Sequence, residues 1–543
     1  MRKVLTWTAI AVSAVIPLWG ADWPTHSGDN QRSAWQRDET RITKDTVKNL
    51  QLLWKIKLDT KQRSVYSLFG PLILERAITD RGFKELAFVA GSNDDLFAVD
   101  ADLGTLFWKV HFDYKSDTPQ AQNPSFLCPG GLTATPVLEP APARGRGPGG
   151  PPAAPAPAAP GRGRGAGRGG PFAVKPVYTL TSDGLLHAIN VNTGDELAPA
   201  MKFLPPNGKP YSLAWVDNVI YTITGQGCGG NPNSAYSLDL NDPAHTVRSW
   251  RSGSGGLWGI AGPAIGTDGT VYAETGDGQY DPATSKYANA IVSLTPKDLK
   301  LKDWYAPTNA EWLWKRDLDM NVTPVVFQYK GRDIIAGSGK EGRMFLLDSA
   351  SLGGADHRTP LFRTELISNE GIDFAGAGTW GSLASYEDSL RNRWVLAPVY
   401  GPPHPAARFE LTHGAATHGS IAAFRVVEKD GKTVLSNAWI SRDLITPAPP
   451  AITNGIVFAL GTGEFISQAN DKEGGLYQAE TRVQRSQHAT LYALDGVTGE
   501  ELWSSKDLVG SFTHFGAMAI ANGRVYFTTY DNTLYCFGIP MEH

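Results

Sequence analysis

Four side chains near the middle of the sequence are of the types that bind cations or flat aromatic molecules. Asp277 lies in a Gly-Asp-Gly turn, and Asp317 and Asp319 form an Asp-Leu-Asp motif before a predicted strand. Carboxylates are good ligands for hard cations, although both motifs are also common as ordinary solvated turns. Trp258 offers either an aromatic plane for a flat ligand or an indole that packs between sheets. These residues define a candidate site that the surrounding elements must assemble.

The chain around these residues is built from a repeated unit, and residues 491–503 are its clearest copy. Residues 491–494 are typical of a strand, and residues 495–499 of a tight turn in which Asp495 accepts backbone N–H groups and Gly499 tolerates positive φ. Trp503 ends the returning strand, where it can pack against a neighbouring sheet. One such hairpin cannot bury its apolar face alone, so the unit predicts stacked repeats.

Similar units recur along the whole chain, each preceded by a hydrophobic strand. Together with the copy at residue 491 they make eight units, of roughly 40–70 residues each, which is the length of a four-stranded propeller blade. The sequence therefore predicts an all-β fold, an eight-bladed β-propeller of four-stranded antiparallel blades. The other copies begin near residues 96, 186, 236, 291, 344, 421 and 534.

Residues 50–58 alternate as a strand but have no hairpin partner of their own. We predict that this segment pairs with the sheet formed near residues 518–539 and completes the C-terminal blade. Such pairing closes the ring and removes an exposed sheet edge.

Residues 1–21 have the layout of a secretory signal peptide: Arg2 and Lys3 precede an apolar run over residues 5–19. An uncleaved membrane anchor is the alternative, but the run is shorter than the ~20 residues that a spanning helix needs. We therefore predict an exported protein, periplasmic or extracellular, without stable membrane insertion. Residues 22–543 would form its single propeller domain.

Residues 139–171 consist largely of Gly, Pro, Ala and Arg. Because they offer no apolar surface to offset the entropy of ordering, we predict a disordered insertion in the second blade. The segment is either a tolerated loop or a basic arm that binds an anionic polymer or lipid headgroups.

Composition and cysteine spacing limit the possible partners. A net charge of −4 argues against nucleic acid as the main partner. Cys128, Cys228 and Cys536 allow at most one internal disulfide with a free thiol, or none. The sequence has no Cys-x-x-Cys-His motif for covalent haem attachment, and its cysteine spacing gives no zinc site.

Several of these features together resemble the quinoprotein alcohol dehydrogenases, which use pyrroloquinoline quinone (PQQ) and a metal ion. They are the entry motif Asp22-Trp-Pro, the Val-Lys-Asn-Leu-Gln-Leu-Leu-Trp segment at residues 47–54, the Leu-Tyr-Ala-Leu-Asp-x-x-Thr-Gly-x-x-x-Trp repeat and the eight blades. Residues 280–284 are similar to the polyvinyl-alcohol dehydrogenase branch. The resemblance covers nearly the whole mature chain.

The resemblance assigns roles to five residues. Trp258 would be the floor on which the quinone stacks, and Lys340 would bond the quinone carbonyls. Asp277 and Asp319 would bind calcium or a lanthanide. Asp317 would be a metal ligand and the catalytic base that takes the alcohol proton while hydride passes to the quinone. Trp258, Asp277, Asp317 and Lys340 are expected to converge at one end of the central channel.

The sequence also departs from the family pattern around this site. The two adjacent cysteines that cover the quinone are absent, since Cys128 stands alone in its segment. Residues 132–135, Leu-Thr-Ala-Thr, replace the arginine that should follow, and residues 225–232 contain no counterpart of the expected glutamate ligand. Floor, base and cation are thus retained, whereas the lid and one carboxylate are not.

Two functions of different classes follow from this sequence. The first is an exported oxidoreductase that passes electrons from a small or polymeric alcohol to PQQ and then to a separate cytochrome c or other acceptor. The second is a non-catalytic propeller that serves as a binding or assembly platform. The site, and not the fold, distinguishes them.

Overall fold

The computed structural model describes residues 21–114, 125–140, 175–371, 373–470 and 475–540. The predicted signal segment, apart from Ala21, and all but two residues of the predicted insertion at 139–171 lie outside these ranges. Strands dominate the described residues, which include two α-helices, α1 (Ala310–Trp314) and α2 (Ala479–Arg485). Neither is long and apolar enough to cross a membrane.

Eight small antiparallel sheets follow one another along the chain, and each forms one blade of a propeller. Because successive side chains of a strand point to opposite faces, each central strand of a blade can pack against both neighbouring blades. All six residues of Asp95–Asp100, for example, are buried. The prediction of an all-β, eight-bladed propeller with four-stranded blades is confirmed.

Two short strands precede the first blade, β1 (Trp35–Gln36) and β2 (Gln51–Lys57). Blade one consists of β3 (Leu68–Thr79), β4 (Gly82–Gly91), β5 (Asp95–Asp100) and β6 (Thr105–His111), and blade two of β7 (Val137–Leu138), β8 (Pro176–Leu180), β9 (Leu185–Asn190) and β10 (Met201–Lys202). Blade three consists of β11 (Ala214–Val216), β12 (Val219–Ile223), β13 (Ser234–Asp239) and β14 (Val247–Arg251). Blade four contains β15 (Gly256–Trp258), β16 (Ala264–Ile265), β17 (Val271–Gly276), the hairpin β18 (Tyr280–Asp281) and β19 (Lys286–Tyr287), β20 (Ala290–Leu294) and β21 (Leu301–Tyr305).

The second half of the ring has the same plan, with additional short strands around blades five and six. Blade five and its preceding short strand are β22 (Val322–Thr323), β23 (Val325–Tyr329), β24 (Arg332–Gly337), β25 (Phe345–Asp348) and β26 (Phe362–Arg363). Blade six and its short strands are β27 (Gly378–Thr379), β28 (Gly381–Ser382), β29 (Ala384–Glu387), β30 (Arg393–Tyr400), β31 (Leu411–Thr412), β32 (Gly419–Lys429) and β33 (Lys432–Ile440). Blade seven consists of β34 (Ala451–Thr453), β35 (Ile456–Gly461), β36 (Thr490–Asp495) and β37 (Glu501–Ser504), and blade eight includes β38 (Met518–Ala521), β39 (Arg524–Thr528) and β40 (Thr533–Gly538).

The ring is closed by β2, which is the outer strand of blade eight. It pairs antiparallel with β40, with Leu52 opposite Phe537 and Ile56 opposite Leu534. The prediction for residues 50–58 is therefore confirmed, and the edge that β40 would otherwise expose is covered.

Tryptophans of the outer strands join blades to their neighbours. In three seams, the indole N–H donates to a backbone carbonyl in the turn that precedes the outer strand of the next blade. The indole ring also lies against a glycine of that turn. The preceding blade therefore packs against the Asp-to-Gly turn of the repeat. The hydrogen bonds run from Trp54 to Ala101 (2.9 Å), from Trp108 to Val191 (3.0 Å) and from Trp439 to Gly496 (2.9 Å).

Residues 22–36, here called the hub segment, run around the propeller axis and bond to the inner strands. The sequence indicated only a turn-rich entry here. In the structure the segment contacts all eight blades in order, at Ile73, Leu138, Leu213, Ile265, Val326, Ser385, Ile452 and Ile520. Near its centre, the fully buried Arg32 donates to the carbonyls of Leu213 and Pro263, among others.

Candidate active site

A cavity of about 470 Å³ lies on the propeller axis, and the hub segment borders it through His26. Its lining includes residues from all eight blades, which is why it is central. This volume lies in the range of about 300–1,000 Å³ that is typical of small-molecule sites. Every residue that the sequence singled out for chemistry lines this cavity.

Three carboxylates gather on one side of the cavity. Asp277 follows β17, whereas Asp317 and Asp319 lie between α1 and β22. One carboxylate oxygen from each lies within 4.8 Å of the other two. The backbone N–H of Asp277 donates to the buried Asp319 carboxylate, which ties the two segments together. The turns thus place three hard oxygen donors around one point.

Lys340 balances part of this negative charge. It lies in the turn after β24, and its backbone N–H donates to the carbonyl of Asp319 at 2.9 Å. Its Nζ donates to Oδ1 of Asp317 at 2.9 Å and to Oδ2 of Asp319 at 2.7 Å. The ammonium also lies 5.2 Å from the centre of the Trp380 ring. Lys340 is buried and held by two carboxylates.

Burial and mutual charge shift the pKa values in this group. Burial raises the pKa of Asp317 to about 7; the Lys340 ammonium opposes this rise, and the Asp319 carboxylate adds to it. Burial and Asp319 likewise raise the pKa of Asp277. Burial alone would lower the pKa of Lys340, but Asp319 and Asp317 outweigh that effect and raise it. Asp317 can therefore exchange a proton near neutral pH.

The fully buried carboxyl group of Glu274 holds the two segments that carry Asp319 and Lys340. It accepts the backbone N–H groups of Val322 and Ser338, each at 3.0 Å. These two residues follow Asp319 and precede Lys340 closely in the sequence. Burial raises the pKa of Glu274 well above its ordinary value. Sequence analysis missed Glu274 because it lies within the predicted strand β17 and belongs to no recognisable motif.

Aromatic rings form much of the remaining wall. Trp258 ends β15 and lies opposite Glu274 in the sheet, with its ring centre 6.3 Å from that of Tyr211. Trp380 stacks on Tyr400, with ring centres 5.5 Å apart and planes 10° from parallel. Of these rings, sequence analysis identified only Trp258.

A second charged group lies on the lining and was not predicted. Glu464 accepts hydrogen bonds from Nη2 of Arg482 and from Nδ1 of His514, both at 2.8 Å. Burial lowers the pKa of His514, so its ring is neutral near pH 7. Although burial opposes it, these two partners hold the pKa of Glu464 below its ordinary value. Glu464 and His514 lie in loops of blades seven and eight, and Arg482 lies on α2; no motif connects them.

One disulfide lies beside the cavity. Cys128 and Cys228 are bonded, with Cα atoms 5.5 Å apart, and Cys536 is a buried free thiol. The disulfide joins the segment before β7 to the loop after β12. The cavity is lined by Leu127 and Gln226, which lie close to the two cysteines in the sequence. Of the arrangements that the sequence allowed, the structure therefore has one internal disulfide and a free thiol.

The donor chemistry of this cavity fits a hard cation together with a flat polar ligand. Three carboxylates against one ammonium leave an excess of negative charge, and calcium and lanthanides prefer such oxygen donors. Within the described ranges, four buried polar atoms of lining residues have no hydrogen-bond partner: Nε2 of His26, Nε1 of Trp258, Oδ1 of Asn321 and Nε2 of His514. An unpaired buried polar atom is costly, so these atoms favour a bound polar group.

Comparison with known proteins identifies the repeat. Residues 425–539, which include most of blade six's outer hairpin, blade seven and the strands β38 to β40 of blade eight, match the PQQ-repeat family model described as "Outer membrane protein assembly factor BamB". This part of the chain therefore carries PQQ repeats, and the whole chain has the propeller fold of solved quinoprotein structures. No curated protein matches this chain.

The similar solved structures cover nearly the whole chain at low sequence identity. A quinohemoprotein alcohol dehydrogenase from Comamonas testosteroni has a TM-score of 0.57 and 14% identity, over 96% of this chain and 81% of that one. A europium-containing methanol dehydrogenase has a TM-score of 0.55 and 12% identity, over 95% and 98%. Another quinohemoprotein alcohol dehydrogenase, from Pseudomonas putida HK5, has a TM-score of 0.53 and 12% identity, over 96% and 82%. Such likeness shows the fold, whereas the chemistry depends on the site.

Proposed function

We propose that this protein is an exported, PQQ- and metal-dependent alcohol dehydrogenase that passes electrons to a separate acceptor. The observation that carries the proposal is the group formed by Asp277, Asp317, Asp319 and Lys340 in the cavity that Trp258 also lines. Residues from three separate segments meet there, and each has a side chain suited to its part. Two of the structural neighbours are an alcohol dehydrogenase and a methanol dehydrogenase, which supports the same chemistry.

The side chains divide the work of binding. Trp258 supplies an aromatic surface and an unpaired indole N–H, and Lys340 supplies a buried cation. Asp277, Asp317 and Asp319 supply the oxygen donors for calcium or a lanthanide, and the europium of one structural neighbour is consistent with the latter. Bound PQQ would supply the electron-accepting centre for alcohol oxidation.

Asp317 is the proposed catalytic base. Its raised pKa gives the carboxylate enough basicity to accept a proton from an alcohol hydroxyl on one of its oxygens. Lys340 orients the carboxylate through Oδ1, and Asp319 holds Lys340 in place.

Electron transfer and export complete the proposal. Since the sequence has no motif for covalent haem attachment, the electrons would leave for a separate cytochrome c or another external acceptor. The substrate would be a small or a polymeric alcohol. The signal-peptide pattern of residues 1–21 supports a periplasmic or extracellular location.

The alternative function is a non-catalytic binding or assembly platform. The match of residues 425–539 to a family model described as an outer-membrane assembly factor favours it. So does the absence from the sequence of the adjacent cysteines, the following arginine and one glutamate of the dehydrogenase pattern.

The test is to titrate the purified apoprotein with PQQ plus calcium or lanthanum and then assay dye reduction with a panel of alcohols. Wild type is compared with Asp317→Asn and with Asp507→Asn, a substitution at an exposed carboxylate outside the cavity. We expect binding and turnover in wild type and the control, and loss of turnover in Asp317→Asn. No quinone binding with either metal would favour the platform, and unchanged turnover in Asp317→Asn would refute its role as the base.

A further inference from the structure

Lys209 is a buried cation on the cavity lining that the proposed reaction does not use. It lies in the loop between β10 and β11, and only 6% of its surface is exposed. Its Nζ lies 5.5 Å from the centre of the Tyr66 ring. Within the described ranges, its ammonium has no carboxylate partner and no hydrogen-bond acceptor.

The neighbouring charges do not compensate Lys209. Glu464 is already shared between Arg482 and the neutral His514. Burial, and secondly the positive charge of Arg482, lower the pKa of Lys209 to about 7. Among the described residues on this side of the cavity, Lys209 is therefore a buried amine without a carboxylate partner. Burying an unpaired charge costs on the order of several kcal/mol.

The same loop connects Lys209 to the aromatic part of the cavity. Tyr211, two residues further on, has its ring centre 6.3 Å from that of Trp258, and the Lys209 ammonium itself lies 5.5 Å from the centre of the Tyr66 ring. A ligand that reaches Lys209 therefore lies among aromatic rings. The surroundings suit a planar aromatic body with a negative substituent.

We propose that Lys209 binds a carboxylate of a flat aromatic ligand whose ring lies in the Trp258 cavity. This inference deepens the proposed function and rests on the same cavity. Lys209 attracts a ligand carboxylate, and the aromatic rings beside it hold the body of the ligand. Lys209 thus sets the orientation of the ligand by fixing the position of one carboxylate.

The experiment compares charged and uncharged forms of two planar probes. The first pair is PQQ and its trimethyl ester, and the second is naphthalene-2,6-dicarboxylate and its dimethyl ester, which carry no quinone. Binding to the full-length apoprotein with calcium is followed by quenching of tryptophan fluorescence and by calorimetry. The variants are Lys209→Met and Lys209→Gln, with Lys315→Met, at a mostly exposed lysine paired with Glu311, as the matched control.

We expect wild type and Lys315→Met to bind each carboxylate at least about tenfold more tightly than its ester, in line with one charge-assisted contact. In both Lys209 variants this preference should disappear, while affinity for the esters stays unchanged. Thermal melts of the unliganded variants verify folding; removing an unpaired buried charge should leave them at least as stable as wild type.

The outcomes separate this inference from the proposed function. Tight PQQ binding that is unaffected in both Lys209 variants would overturn the inference and leave the dehydrogenase proposal intact. Binding of the naphthalene dicarboxylate that depends on Lys209, with no binding of PQQ, would support the inference and remove the proposed cofactor. No saturable binding of either carboxylate by wild type would overturn both.

Discussion

At the residue scale, the energetics of the site centre on Asp319 and Lys340, whose side chains are only 1% and 8% exposed. Removing one member of a buried ion pair leaves the other uncompensated, which typically costs about 3–5 kcal/mol, whereas replacing both is far less costly. The pair therefore couples the position of the Lys340 ammonium to the carboxylate cluster.

We predict that Asp319→Asn lowers the free energy of unfolding of the metal-free protein by about 3 kcal/mol. The double variant Asp319→Asn/Lys340→Met should lose clearly less than the sum of the two single losses. Urea unfolding in the presence of a chelator measures both quantities. Asp277→Asn is the control, because it removes a like charge near Asp319 and should leave stability unchanged or slightly higher. Additive losses in the double variant would contradict the coupling.

A second prediction at this scale concerns pH and Lys209. Its pKa is about 7 in the folded protein, and about 10.4 is usual for an exposed lysine in an unfolded chain. Between these values the unfolded chain binds more protons, so the contribution of Lys209 to stability rises with pH, by up to about 1.4 kcal/mol per unit.

The free energy of unfolding of wild type, relative to that of Lys209→Met, should therefore increase between pH 7 and pH 10. Denaturant titrations of both proteins at several pH values measure the difference, from which all other groups cancel. Parallel pH profiles would show that Lys209 is not the titrating group.

Five residues of the site were predictable from the sequence because short contiguous segments around them resemble those of a known family. Asp317 and Asp319 share one such segment, and Lys340 ends the Gly-Ser-Gly-Lys stretch at residues 337–340. Their assigned roles stay predictions, although the structure brings their side chains to one cavity. Lys209 and Glu464 could not be found this way, since they come from loops that meet only when distant blades close into a ring.

At the scale of the element, the repeat explains how one blade docks on the next. Sequence analysis predicted the Asp-to-Gly turn and the tryptophan of the returning strand, but not that the tryptophan of one blade caps a turn of its neighbour. Gly499 has φ of 78°, and a Cβ placed on it would lie 2.6 Å from Cε3 of Trp439. The glycine is thus required both for the turn and for the seam.

We predict that Gly499→Ala lowers the free energy of unfolding by about 3 kcal/mol, the sum of the left-handed backbone cost and of overpacking against the indole. Gly431→Ala is the matched control. Gly431 has φ of 73°, but a Cβ placed on it would meet no atom within 4 Å, so only about 1–2 kcal/mol should be lost. Equal losses in the two variants would show that the indole contact contributes nothing.

At the scale of the whole molecule, two N-terminal pieces hold the ring together. The unpaired alternating pattern of β2 made the closing strand predictable. The hub segment was not predictable, because a turn-rich sequence without periodicity does not reveal its partners. Its bonds depend on eight inner strands that come together only in the finished ring.

We predict that Arg32→Met lowers the free energy of unfolding by more than about 3 kcal/mol, because it removes charge-assisted hydrogen bonds to buried carbonyls. Arg37→Met, in the adjacent stretch and about half exposed, should change stability by less than about 1 kcal/mol. Urea midpoints and size-exclusion profiles of both variants provide the measurement. A similar midpoint shift for the two arginines would refute a special role for the hub segment.

The hub segment also limits how this molecule can evolve. Repeat proteins readily gain or lose units by internal duplication or deletion of coding sequence. Here, fifteen residues meet the inner strands one blade after another, so the spacing of their donors and acceptors matches a circle of eight. A duplicated blade would widen the circle and leave one inner strand without its contact, and a deleted blade would leave a contact without its strand. Variation in length is therefore directed into the connections between strands, and the long Gly- and Pro-rich stretch of this sequence comes between β7 and β8.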